Sequence, residues 1–301
     1  MNHQFRAPLL FAVMGIMLAA VGFGQSWSVA LSILNLCLIS AVMALGVNIQ
    51  WGYAGLFNIG VMGFAAVGGL AAVLVSKTPV SAAWAAGGTD LILAASMLLL
   101  TALTIILVRR LLRGRKIRSL LTIVIIITGY FLARAFFNPA TMAIESIDSA
   151  KTGYLGGLGL PIIFSWLVGG LFAAAVAWFI GKVALRLRAD YFAIATIGIS
   201  EIVIAILKNE DWLARGVKNV TGLPRPVPYE VKLQSSRWFS DFTSWLQIDV
   251  VEASGIFVKL CYAGLFTVVL LVIVFLSERA LRSPWGRMMH AIRDNEDAAE
   301  A

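Results

Sequence analysis

The sequence predicts an all-α fold, a polytopic membrane helix bundle of about eight transmembrane helices. Apolar residues make up 60% of the chain and charged residues 13%, against roughly 45–50% and about 25% in soluble domains. Stretches of about 20 mostly apolar residues recur along its length, each long enough to cross a hydrocarbon core of about 30 Å. None shows the polar–apolar alternation of a membrane barrel, which leaves helices as the spanning structure.

The first span is expected near Pro8–Gly24, after Arg6. It imitates a secretory signal peptide. The second, near Ser28–Ile49, follows almost at once, and this fits a tight hairpin between two spans better than a mature N-terminus. The third, near Ala54–Ser76, is crowded with Gly60, Gly63, Gly68 and Gly69, and Gly52 and Gly55 precede or enter it beside Asn48, Tyr53 and Asn58. Glycine costs about 1 kcal/mol in a helix interior relative to Ala. The cluster therefore predicts either broken backbone within a span or a tight polar turn at the interface. The fourth and fifth spans, near Asp90–Val108 and Ser119–Phe137, flank a basic run, and Arg134 near the outer end of the fifth can snorkel. The sixth, near Pro161–Val183, repeats Gly169, Ala173, Ala177 and Gly181 at intervals of four, a stripe that lets a second helix approach closely. The seventh, near Asp190–Leu207, opens on Asp190 as an N-cap and carries Thr196 and Glu201. Glu201 is the one carboxylate well inside a span. At that depth it is either a pathway or proton-relay group or a protonated or hydrogen-bonded structural carboxyl. The eighth lies near Gly255–Leu276.

The basic residues orient the bundle. A cytoplasmic N-terminus places Arg6, the run from Arg109 to Arg118, Lys182, Arg186, Arg188, Arg279, Arg282, Arg287 and Arg293 on one side, and only Lys77 and Lys151 in the short external loops. The long external loop 208–254 has six basic and six acidic residues. Its Trp212, Trp238, Phe239 and Trp245 suit an interfacial belt or a docking surface. The net charge of +8 reflects these cytoplasmic segments, not nucleic-acid binding. Cys37 and Cys261 lie in or beside apolar runs, where a buried structural role is expected. The two histidines, His3 and His290, sit near the chain ends, and no nucleophile elbow, metal-ligand cluster or Walker A sequence is present. No catalytic or metal-binding residue is assigned, and the chain is not expected to be an enzyme. Residues 1–276 form the transmembrane domain, and 277–301 form a cytoplasmic segment.

That segment turns abruptly polar. Read as a helix from Trp285, it places Trp285, Met288, Met289 and Ile292 on one face, with the charges largely elsewhere. Such a stripe suits lipid headgroups or a soluble partner.

Leu185-Arg186-Leu187-Arg188-Ala189-Asp190-Tyr191-Phe192-Ala193-Ile194-Ala195-Thr196-Ile197-Gly198 resembles the signature L-R-L-R-G-D-Y-F-A-I-A-T-L-G of branched-chain amino-acid ABC transporter permeases, M-type subunit. The resemblance extends through Glu201-Ile202-Val203 to Asn219–Pro226, and it recurs in Gly52–Gly60, in Ser283–Arg287 and in Ala291–Glu296. Ala189 stands where the family usually has Gly. The resemblance implies a multi-pass protein of the bacterial inner membrane, working with a second permease subunit, two cytoplasmic ATPase subunits and a periplasmic substrate-binding protein. It implies no cofactor on this chain, ATP and Mg being used by the ATPases. It makes Trp285, Arg287, Ile292, Arg293, Asp294, Asn295 and Glu296 the candidate ATPase-coupling residues, and Asn58, Thr196 and Glu201 candidates for the substrate pathway. The family continues beyond the point matching Ala301, so the chain is expected to be truncated relative to it. A permease for urea or short amides shares this layout. An ion-coupled carrier using Glu201 is a different class, and it predicts ATP-independent uptake.

Overall fold

In the computed structural model, residues 3–111, 114–148, 152–185 and 187–294 are described, the side chains of residues 3–7, Arg115, Ala189 and Asp190 excepted. Among them there is no strand. The long helices are α1 (His3–Gly24), α2 (Trp27–Asn48), α3 (Val61–Ser76), α5 (Thr89–Leu111), α6 (Arg115–Glu145), α7 (Ile162–Ala184), α8 (Ala189–Asn209) and α12 (Val250–Leu281). Shorter ones are α4 (Ser81–Ala83), α9 (Asp211–Ala214), α10 (Glu230–Gln234), α11 (Arg237–Leu246) and α13 (Pro284–Asp294). Among the described residues, six helical stretches are long and apolar enough to cross a membrane, and the shorter apolar helices Pro8–Gly24 and Val61–Ser76 stand at the other two expected spans.

The chain folds as two compact units. One comprises the residues up to Val61, Leu185–Thr196 and those from Arg225 on; the other comprises Met62–Ala184 and Ile197–Pro224. In the first, α1 and α2 form the expected tight hairpin. Ser26 caps α2 by accepting from the Val29 amide at 3.2 Å, and Phe23 meets Trp27 edge to face at 5.1 Å. Helix α12 packs along α2, and α10 and α11 close over its first turns around Val227, Leu233, Phe239 and Val258. The stretch 208–254 is therefore partly helical rather than a plain loop. Its aromatics divide: Phe239 is buried in that core, whereas Trp238 and Trp245 are exposed.

In the second unit, α3 and α7 approach closely at Gly169, the first residue of the small-residue stripe. A Cβ on Gly169 would lie 2.9 Å from the Gly68 carbonyl oxygen and 3.3 Å from the Ala71 Cβ. Helix α6 runs beyond the expected Phe137 to Glu145 because its last turns are held. Ile144 is fully buried with Ala83 and Leu155, and Trp212 donates its backbone N–H to Glu145 Oε1 at 3.2 Å. The α6–α7 connection then satisfies the end of α3. The amides of Leu158, Leu160 and Gly159 donate to the carbonyls of Leu74, Val75 and Lys77 at 3.0, 2.9 and 2.9 Å. These are the carbonyls a helix terminus leaves without intrahelical partners. Gly156, at φ +77°, permits the turn that brings them there.

Three expectations are corrected. The third span begins at Val61, not Ala54, because residues 54–60 leave the helix. Helix α8 begins at Ala189, so Asp190 lies in its first turn rather than at the cap; its side chain is outside the described set. Cys37 is exposed on α2, while Cys261 is half-buried beside the α10–α12 core.

Candidate functional site

The site is built around an interruption of the helical backbone. Helix α2 does not end at Asn48 but widens into one π turn, Ile49–Tyr53. The amides of Ala54, Gly55 and Leu56 donate back to the carbonyls of Ile49, Trp51 and Gln50 at 3.3, 3.1 and 2.9 Å. The chain then turns at Gly55, whose φ of +71° lies in the left-handed region. The glycine cluster thus leaves the helix over residues 54–60, between α2 and α3.

Two of the three pathway candidates hold this break together. Asn58 Nδ2 donates to Gln50 Oε1 at 2.8 Å, and Asn58 Oδ1 accepts from the Gly60 amide at 2.9 Å. The buried Thr196 hydroxyl donates to the Ala193 carbonyl at 2.8 Å and accepts from the Ile59 amide at 3.3 Å. The Asn58 side chain and the Ile59 and Gly60 amides are thus paired within the protein. Glu201 does not join them. It lies five residues beyond Thr196, about 140° round the helix, and its side chain is exposed.

The tail folds onto the same break. Helix α12 stops at Leu281 and α13 starts at Pro284, a residue well suited to a first helical turn. From α13, Arg293 Nη1 donates to the Gly52 carbonyl oxygen at 2.9 Å, and His290 meets the Tyr53 ring edge to face at 5.3 Å. Arg293 also pairs with Asp294 at 2.9 Å. The fit is close: a Cβ on Gly55 would lie 2.7 Å from Arg293 Cγ. His290 and Arg293 therefore face the chain. Trp285, Met288 and Ile292, on the predicted apolar face, are left bare with exposures of 47%, 52% and 39%, and Met289 is half-buried. Arg287 is exposed. Asn295 and Glu296 lie outside the described residues.

One polar contact escaped the sequence reading. Lys259, in α12, donates through Nζ to the Ser28 carbonyl oxygen at 3.0 Å and to Ser28 Oγ at 2.6 Å. Asn35 Nδ2 in turn donates to the Lys259 carbonyl oxygen at 3.1 Å. A lysine a few residues inside an apolar run is itself a signal of a polar partner on a neighbouring helix. Among the described residues no cluster of three or more His, Cys, Asp or Glu side chains is placed to hold a metal ion.

Residues 139–301 match the family described as branched-chain amino acid transport system / permease component. Similar proteins include two named high-affinity branched-chain amino acid transport system permease protein LivM. The protein from Escherichia coli (strain K12) is 31% identical over 170 residues, and that from Salmonella typhimurium is 30% identical over 166. Each alignment covers 53% of this chain and 37% of the relative. No solved structure matches.

Proposed function

Because the chain belongs to the family of branched-chain amino acid transport system permease components, we propose that it acts as the membrane subunit of an ATP-driven importer for leucine, isoleucine, valine or related amino acids. In this reading it lies in a bacterial inner membrane with its N-terminus in the cytoplasm. It pairs with a second permease subunit, receives substrate from a periplasmic binding protein, and is driven by two cytoplasmic ATPases that use ATP and Mg.

The observation that carries the reading is the two-sided placement of α13. One side is fastened to the π turn by Arg293 and His290. The other offers Trp285, Met288 and Ile292 to a partner. An amphipathic helix seated in a partner's groove and hydrogen-bonded to a helix break is a lever. Displacement of α13 is felt at Gly52 and Tyr53, and from there by the segment that Asn58 and Thr196 hold. Arg287 flanks the apolar stripe, and Asp294, Asn295 and Glu296 follow it in sequence, so that charge fixes the orientation in the groove. Glu201 fits the same scheme. A carboxylate within a span faces a bundle interior or water, and its exposure in this chain calls for a second permease subunit to supply that interior.

The test uses the complete complex in proteoliposomes with Arg293, Asp294 and Glu296 replaced by Ala. ATP hydrolysis is expected to lose its stimulation by loaded binding protein, and uptake to fall with it. Unchanged stimulation removes this segment from the mechanism. Competition by urea or short amides, but not by leucine, would redirect the substrate assignment. Gradient-driven uptake without ATP would replace the class.

A further inference from the structure

The ten residues 109–118, where α5 ends and α6 begins, hold six cations and no acid. Between the two helices lies a cavity of about 610 Å³ lined by Arg109, Arg118, Ser119, Thr122, Ile123 and Ile126. Its composition is graded. Two guanidinium-bearing side chains and a serine hydroxyl stand at the end nearest the connection, and two isoleucines lie one and two turns further into α6. Among the described residues neither Arg109 nor Arg118 makes an ion pair. Thr122 is buried and donates to the Arg118 carbonyl oxygen at 2.7 Å.

The surroundings define what fits. Leu103, Ile106 and Leu107 on α5, and Leu120, Ile123 and Ile127 on α6, are exposed aliphatic side chains on membrane-length helices. In a bilayer crossed by α5 and α6 these side chains would lie among acyl chains, and Arg109 and Arg118, at the helix ends, at the level of the headgroups. Guanidinium forks match phosphate oxygens with paired, charge-assisted hydrogen bonds. Two such groups with no carboxylate beside them favour a headgroup of net negative charge over a zwitterion. A free phosphate would satisfy the arginines and leave the Ile123–Ile126 wall bare.

We propose that this cavity binds an anionic phospholipid, its phosphate on Arg109, Arg118 and Ser119 and the start of an acyl chain along Ile123 and Ile126.

The full chain, stripped of lipid in detergent, is titrated with phosphatidylglycerol, with phosphatidylcholine as comparator, and retention is read by native mass spectrometry. Phosphatidylglycerol should be retained in preference. The variant R109Q/R118Q should weaken its retention roughly thirty-fold, about five-fold per cationic contact. The variant R110Q/K116Q removes the same net charge from side chains that do not line the cavity, and it should change retention far less. Thermal melts in phosphatidylcholine check that each variant folds. Ile126→Trp fills the cavity without touching a charge and should also lower retention. Equal losses in the two charge variants would reduce the feature to a diffuse basic surface and overturn the site. So would equal retention of the two lipids, or retention unaffected by Ile126→Trp. Displacement of phosphatidylglycerol by millimolar inorganic phosphate would overturn the lipid assignment in favour of a phosphate site.

Discussion

Gly55 and Arg293 come from opposite ends of the chain and meet closely enough that a single carbon decides the fit. Gly55→Ala puts an L residue at φ +71°, which costs about 1–2 kcal/mol, and drives its Cβ to 2.7 Å from Arg293 Cγ. It is expected to lower both the thermal unfolding midpoint and the transport-coupled ATPase rate. Gly46→Ala is the matched control. Nothing lies within 4 Å of its Cβ position in α2, so the same substitution should stabilise by up to about 1 kcal/mol. A second residue-level expectation concerns Tyr154, which is 2% exposed. Burial pushes its phenol above the ordinary 10.0, the Arg215 guanidinium acting the other way. Ionising it in the folded state is disfavoured. Its contribution to stability is complete below pH 10 and is lost as pH rises through the raised value. Tyr154→Phe should flatten that alkaline loss in thermal unfolding. At this scale the sequence was only partly legible. Asn58 and Thr196 entered as pathway candidates through the resemblance, but whether they face a pathway or tie a helix break depends on a partner distant in sequence. Lys259 needed Ser28 and Asn35 on another helix before its place made sense.

Helices were more legible than contacts. Among the described residues, length and hydropathy located the six membrane-length helices and the two shorter apolar ones, because a span must satisfy its own backbone bonds and apolar runs of that length have few other uses. Boundaries failed where tertiary contacts prolong or interrupt a helix: at Val61, where the break ends; at Glu145, held by Trp212; and in 208–254, where α10 and α11 pack on α12. The small-residue stripe makes a paired prediction. Gly169→Leu forces a side chain against Gly68 and Ala71 and should cost about 1–3 kcal/mol, whereas Gly170→Leu, with nothing within 4 Å, should not destabilise and should gain up to about 1 kcal/mol of helix propensity in the same unfolding measurement. For α13, replacing Trp285, Met288 and Ile292 by Ser should leave folding unchanged, because their faces are bare. With the thermal unfolding midpoint retained, it should abolish co-purification of the ATPase subunits. Retained co-purification would mean that the stripe serves another surface.

For the whole molecule, the proposed function requires that one exposed helix, α13, join a membrane-embedded permease to separate ATPase subunits. The family match covers residues 139–301, which includes α7, α8, α12 and α13. The Gly52–Gly60 motif, on which α13 docks, falls outside that range. Motif and tail were each readable in the sequence, while their meeting was visible only in the fold. The sidedness that makes this meeting useful is open to direct measurement. Met288→Cys, in a background with Cys37 and Cys261 replaced by Ser, is treated with a membrane-impermeant maleimide in intact cells and in inside-out vesicles. Labelling is expected in the inside-out vesicles alone, reduced when the ATPase subunits are bound. Labelling from the outside of intact cells would contradict this sidedness.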